Sequence, residues 1–172
     1  TGVEMFQKTL DKAIAGDNVI RLVIHLAGSG GLAPFQFCLQ EEPIVVCATA
    51  DFDSLAAGTV VTNQFAGVTF SSANTRNQQG ALTNPSLPLV IFDTKNPTGG
   101  DTDLAQNPAL DHLLIIQENP GGPPDDNEKG GDIVIDFASP ASIPSGLTLV
   151  DIDEAGSYIL VVYADGTNTT IP

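Results

Sequence analysis

The sequence predicts an all-β sandwich or barrel, and three observations predict it. Ten runs of four to nine residues are rich in β-branched, aromatic or other apolar residues and stop at Gly, Pro, Asn or Asp. Gly (17) and Pro (12) are too frequent for a helical bundle but suit many short strands joined by turns. No strand–helix alternation appears, which argues against a doubly wound parallel sheet. The length of 172 residues suits one domain, and 42% hydrophobic residues suffice for a core.

In chain order, Phe6, Leu10, Ala13 and Ile14 stand at helical spacing, yet Phe6 and Leu10 also flank Lys8 in a period of two. Helix and strand both stay open there. Residues 18–26 (NVIRLVIHL) predict a strand with Ile20, Leu22, Ile24 and Leu26 on one face and Arg21, Val23 and His25 on the other. The Gly-rich 28–31 lacks the Lys-Ser/Thr of a phosphate-binding loop and reads as a hairpin turn. Residues 34–39 alternate, with Phe35 and Phe37 on one face. Further strands are expected at 43–49, 59–64, 68–71, 87–92, 112–117, 132–137, 147–152 and 157–163. The irregular stretches 72–86, 93–111 and 118–131 are long enough to suggest functional or metal-ordered loops.

Charge narrows the function. Twenty-one acids against six bases give −15, the wrong sign for nucleic acid or an anionic membrane surface. No apolar run is long enough to span a bilayer as a helix. Aromatic residues are 6% with no Trp, a poor supply of stacking platforms. A start at Thr1 without a leader is expected for a processed, exported chain. Cys38 and Cys47 form one disulfide in such a protein, or else remain two free thiols.

Thirteen of the acids lie between Asp93 and Glu154, grouped as Asp93…Asp101-Thr-Asp103, Asp125-Asp126-Asn127-Glu128 and Asp151-Ile-Asp153-Glu154. Asp51-Phe-Asp53 is a smaller group. Calcium takes six to eight oxygen ligands, and an Asp-x-Asp loop beside Gly99-Gly100 offers carboxylates and carbonyls on a tight bend. Asp93, Asp101 and Asp103 are the expected calcium ligands, with Asp126 and Asp153 next. The spacing is neither an EF-hand nor a nonapeptide array. Such acids also serve simply to keep a surface solvated.

Catalytic signatures are missing, and no enzymatic activity is expected. His25 lies mid-strand and reads as a face-out or hydrogen-bonded sheet residue; His112 reads as a polar residue at a strand start. No G-x-S-x-G elbow occurs. Asn168-Thr169-Thr170 matches a glycosylation sequon, a weak signal.

From Asp51 onward the chain resembles an exported, calcium-binding jelly-roll module of surface-anchored proteins in cyanobacteria and marine bacteria. The segments that carry the likeness are DFDSLAAGTVVTNQFAGVTFSS, PLVIFDTKNPTGGDTDL, LLIIQEN, PDDNEKGGDIVIDF and LTLVDIDEAGSYILVVYADG. The resemblance implies a jelly-roll β-sandwich that binds calcium and, in some members, carbohydrate. Its order is broken, however. The family's closing segment, similar to RLVxxLAGSGxLxxFxFC, stands at Arg21 to Cys38, at the front of this chain.

The expected organisation is therefore an N-terminal arm (1–38) that completes a sandwich, a connector (39–50) and a sandwich body (51–172). The arm closes on its own chain as a circular permutant, belongs to one frame of a tandem array, or enters a neighbouring subunit. The last arrangement makes an extracellular or cell-surface structural subunit that polymerises head-to-tail with copies of itself, stabilised by calcium. A discrete carbohydrate-binding or adhesive module is the alternative, with extracellular polysaccharide as partner.

Overall fold

Eleven strands carry the regular structure of the computed structural model, which describes residues 18–106, 110–152 and 154–172. They are β1 (Val19–Leu26), β2 (Gly31–Leu32), β3 (Phe35–Glu41), β4 (Ile44–Ala50), β5 (Val68–Ala73), β6 (Leu89–Asp93), β7 (His112–Ile116), β8 (Gly131–Ser142), β9 (Leu149–Val150), β10 (Tyr158–Tyr163) and β11 (Asn168–Ile171). Single 3₁₀ turns sit at Phe52–Ser54 and Leu104–Gln106.

The strands form two antiparallel sheets packed as a β-sandwich. The larger runs β11-β10-β1-β8-β3-β4, with β5 also paired to β8; the smaller runs β6-β7-β2-β9. The main core lies between them. Leu22, Ile24, Phe37, Leu114, Ile133 and Ile135 are all fully buried there.

Patterning explains which face each strand buries. In β3 Phe35 and Phe37 point inward and Gln36 outward, as alternation predicts. β6 (LVIFD) and β7 (HLLII) are apolar almost without interruption because both their faces are covered. The second face packs a separate cluster of Phe92, Leu104, Leu113, Ile115 and Val150. Leu104 brings the loop after β6 over that face.

β1 lies between β8 and β10 of its own chain. Its pairing shifts between Val19 and Arg21, a bulge. The bulge puts Val19, not Ile20, on the buried face with Leu22, Ile24 and Leu26, a one-residue correction to the alternation. β3 runs through residue 38, and 39–50 form the remainder of the β3–β4 hairpin. The ambiguous segment around Phe6 to Ile14 lies outside the described residues.

Other expectations are corrected. Residues 59–64 make only a single bridge, Val60 to Val90. Gln64 ends the pairing locally: its Oε1 accepts from the Thr62 amide and its Nε2 donates to the Val60 carbonyl. The segment 28–31 is not a hairpin turn but the corner where the chain leaves the large sheet for the small one. Gly30 has φ +137°, and a Cβ there would stand 2.7 Å from Ile152 Cδ1 and 3.0 Å from the Val150 carbonyl. β2 and β11 are additional strands, one only two residues long and the other Thr-rich and mostly exposed.

Candidate metal centre

Four loops meet at one end of the sandwich and enclose an acidic basin of about 520 Å³, the β5–β6 loop contributing Gln78. Asp101 and Asp103 come from the loop after β6. Glu118, Asp125, Asp126 and Glu128 come from the loop between β7 and β8, and Ser29 from the corner after β1. Among the described residues, no Lys, Arg or His lines it.

Buried polar side chains set the shape of the β7–β8 loop. Gln117, nearly inaccessible, donates from Nε2 to the carbonyls of Asn119 and Pro123 and accepts from the Asp125 amide. Asn127, equally buried, donates to the carbonyls of Arg76 and Gly130. These bonds satisfy backbone groups that a loop packed against the sandwich would otherwise leave unpaired. Thr98 Oγ1 donates to the Pro124 carbonyl and ties the second loop to the first. Gly99, at φ +74°, lets Asp125 come close: a Cβ there would stand 2.5 Å from Asp125 Oδ1.

Asp126 is the most deeply placed carboxylate of the basin, 7% exposed. Its Oδ2 accepts from the Gly30 amide at 3.0 Å, and its own amide donates to Asp101 Oδ2 at 2.9 Å. Burial, with the neighbouring negative charge of Asp101, pushes its carboxyl up to about 8. Burial raises Asp101 as well, with Asp125 and Asp103 adding to the effect. Asp103 Oδ1 accepts from the Leu104 amide. Glu118 Oε2 takes bonds from Gln78 and Asn119, while its Oε1 is buried without a hydrogen-bond partner. A buried carboxylate oxygen left in that state carries a desolvation cost that a cation would offset.

The donor set is all oxygen and strongly negative, which suits a hard cation such as Ca²⁺ better than a thiolate- or imidazole-seeking metal. Among the described residues, however, no three acidic, His or Cys side chains form a ready-made metal cage. A bound ion would have to draw the two loops together.

Of the residues expected as calcium ligands, the structure brings Asp101, Asp103 and Asp126 to this basin. Asp93 is placed elsewhere. Its carboxylate accepts from the amides of Lys95 and Asn96 and from Asn96 Nδ2, closing a local turn that holds it below its ordinary pKa. Asp153 lies outside the described residues. Glu118 and Ser29 were not expected. No short motif links them to the Asp-x-Asp loop, and only the chain's path through the corner and β7 makes them neighbours.

Cys38 and Cys47 face each other across β3 and β4 and are joined as a disulfide. His25 is a hydrogen-bonded sheet residue: its Nδ1 lies 2.6 Å from Asp132 Oδ1 and its ring stacks on Tyr158 at 4.8 Å. Asn74 Nδ2 donates to the other oxygen of Asp132. His112 opens β7, with its amide bonded to Asp53.

A second concavity is apolar. β9 ends the small sheet and β11 ends the large one. Between these two edges runs a groove of about 270 Å³, lined by Leu149, Ile152, Tyr158, Ile159, Ile171 and Pro172, with Glu154 at its wall. Ile152 and Ile171 are half-buried and pack on the main core, so the groove is an extension of the core that neither sheet covers.

No family model, curated protein or solved structure matches the chain.

Proposed function

We propose that the chain is an extracellular structural subunit, a jelly-roll-type sandwich that takes calcium into the acidic basin and assembles head-to-tail with copies of itself. The observation that carries the proposal is the unclosed side of the sandwich. Two short edge strands, β9 and β11, leave core-connected apolar surface and unpaired backbone side by side. Unpaired edges of this kind template further strand pairing. A contact between that side and a different part of the next copy is heterologous and need not close, and where it does not close it propagates as a filament.

Calcium supplies what the charge balance demands. At −15 the copies repel one another, and a cation held among Asp101, Asp103, Glu118, Asp125, Asp126 and Glu128 reduces that repulsion. The disulfide suits an oxidising, extracellular setting. The alternative, a discrete carbohydrate-binding module, is favoured by Tyr158, which lies 37% exposed at the groove. One tyrosine is a small platform for a sugar.

Light scattering with and without calcium tests the proposal. A structural subunit forms species far larger than one 17.8 kDa chain in calcium and smaller ones in chelator. A chain that stays a single subunit in both, and is retained on a polysaccharide resin, supports the binding module instead.

A further inference from the structure

The corner between β1 and β2 meets the acidic basin at one end and the β9–β10 connection at the other. We infer that Ser157, which lies in that connection and outside the basin, is a positioning residue for the cation site. The inference rests on the calcium reading of the basin proposed above and names a residue that sets the site's geometry from outside it.

At the basin end, Ser29 lines the wall and the Gly30 amide donates to Asp126 Oδ2 at 3.0 Å. That bond orients the carboxylate and leaves it further lone pairs for an ion. The basin has a separate need for a cation at Glu118 Oε1, which is buried there without a hydrogen-bond partner. At the far end, the Ala27 amide donates to Ser157 Oγ at 3.0 Å, across 130 residues of sequence. Ser157 Oγ in turn reaches the Glu154 carbonyl at 3.4 Å, so the hydroxyl accepts from one segment and donates to the other.

Three of the four residues from Gly28 to Gly31 are glycine, so the corner has little conformational preference of its own and contacts must fix it. Gly28 lies against Glu154: a Cβ there would stand 2.3 Å from Glu154 Cδ. The β7–β8 loop, which carries Asp126, seats on the corner's start, where a Cβ on Gly130 would stand 2.1 Å from the Leu26 carbonyl oxygen. The polar anchors are the amide bonds of Ala27 and Gly30. Three residue steps, about 11 Å of chain at full extension, separate them. Over so short a span, loss of the Ser157 anchor frees the Gly30 amide. An ion binding at Asp126 must then order the corner as well, and that cost is subtracted from its affinity.

The test is calorimetric titration of Ca²⁺ into the full chain, comparing wild type, Ser157→Ala and Ser157→Thr. Alanine removes the hydroxyl and changes neither the net charge nor any basin residue. It should weaken calcium binding about threefold to tenfold, the factor one hydrogen bond is ordinarily worth. Threonine keeps an Oγ for the Ala27 amide and should restore wild-type affinity. A residue serving the fold alone would lower the melting temperature in chelator and leave the affinity of the folded chain unchanged. Wild-type affinity in Ser157→Ala would therefore overturn the inference and leave the basin standing as a calcium site; so would a loss that threonine does not repair. If Ser157→Ala does not fold, amide hydrogen exchange on the wild type decides. Calcium should slow exchange at both Ala27 and Gly30, and slowing confined to Gly30, or none, would overturn the coupling. A wild-type chain that binds no calcium would overturn the basin reading itself, and the inference with it.

Discussion

Replacing Asp126 with asparagine removes a titratable carboxyl from the basin while keeping an oxygen for the Gly30 amide. Burial and Asp101 push the Asp126 carboxyl up to about 8 from an ordinary 3.8. A carboxyl raised in this way binds more protons folded than unfolded throughout that interval. The stability of the calcium-free protein therefore falls as pH rises from about 4 to about 8, by at most about 1.4 kcal/mol per pH unit for one proton. Two units in mid-interval correspond to a drop of roughly 5–10 °C in melting temperature for a chain of this size. In chelator, Asp126→Asn should flatten that slope and melt higher than wild type at pH 8. Calcium competes with the proton, so it should stabilise wild type more at pH 8 than at pH 5. At a hundredfold excess over Kd the gain is about 2.7 kcal/mol. The assay is thermal unfolding by circular dichroism at pH 5, 6, 7 and 8, with EDTA and with calcium, on both proteins. A wild-type melting temperature in EDTA that is flat from pH 5 to 8, or identical slopes for wild type and variant, would refute the reasoning.

Three further outcomes follow from the packing. Reducing Cys38–Cys47 releases a short hairpin loop and should cost about 2–3 kcal/mol by loop-closure entropy, read as a lower denaturation midpoint in reductant. Leu22→Ala empties a fully buried position at the centre of the large sheet and should cost about 2–5 kcal/mol in urea unfolding. Gly99→Val should displace Asp125 and weaken the calcium-dependent rise in melting temperature, with little change in the chelator-treated protein beyond the strain of a β-branched residue at φ +74°.

The strands were legible because burial writes a pattern along the chain. Alternation in β3 marks a strand with one wet face, and the unbroken PLVIF and LLII runs mark strands covered on both. Part of the basin was legible too: Asp101 and Asp103 share one loop, and Asp126 sits in a dense acidic run. What the sequence could not convey was which loops meet. Asp93 belongs to the same run of residues as Asp101, yet a local Asn96 turn consumes its carboxylate, and nothing in composition distinguishes a satisfied carboxylate from an available one.

Sequence by itself determined that this chain makes a twisted stack of short strands with a strongly negative surface, because strand period, turn residues and net charge are local properties. Tertiary structure alone decided three things. The Gly-rich corner at 28–31 changes sheets and so delivers the Gly30 amide to Asp126. The bulge in β1 turns Val19 into the core. The edges β9 and β11 end side by side over apolar surface that neither sheet covers. Each depends on contacts between residues far apart in the chain, whose pairing is set by the total buried area and hydrogen bonds of the whole sandwich rather than by any one segment.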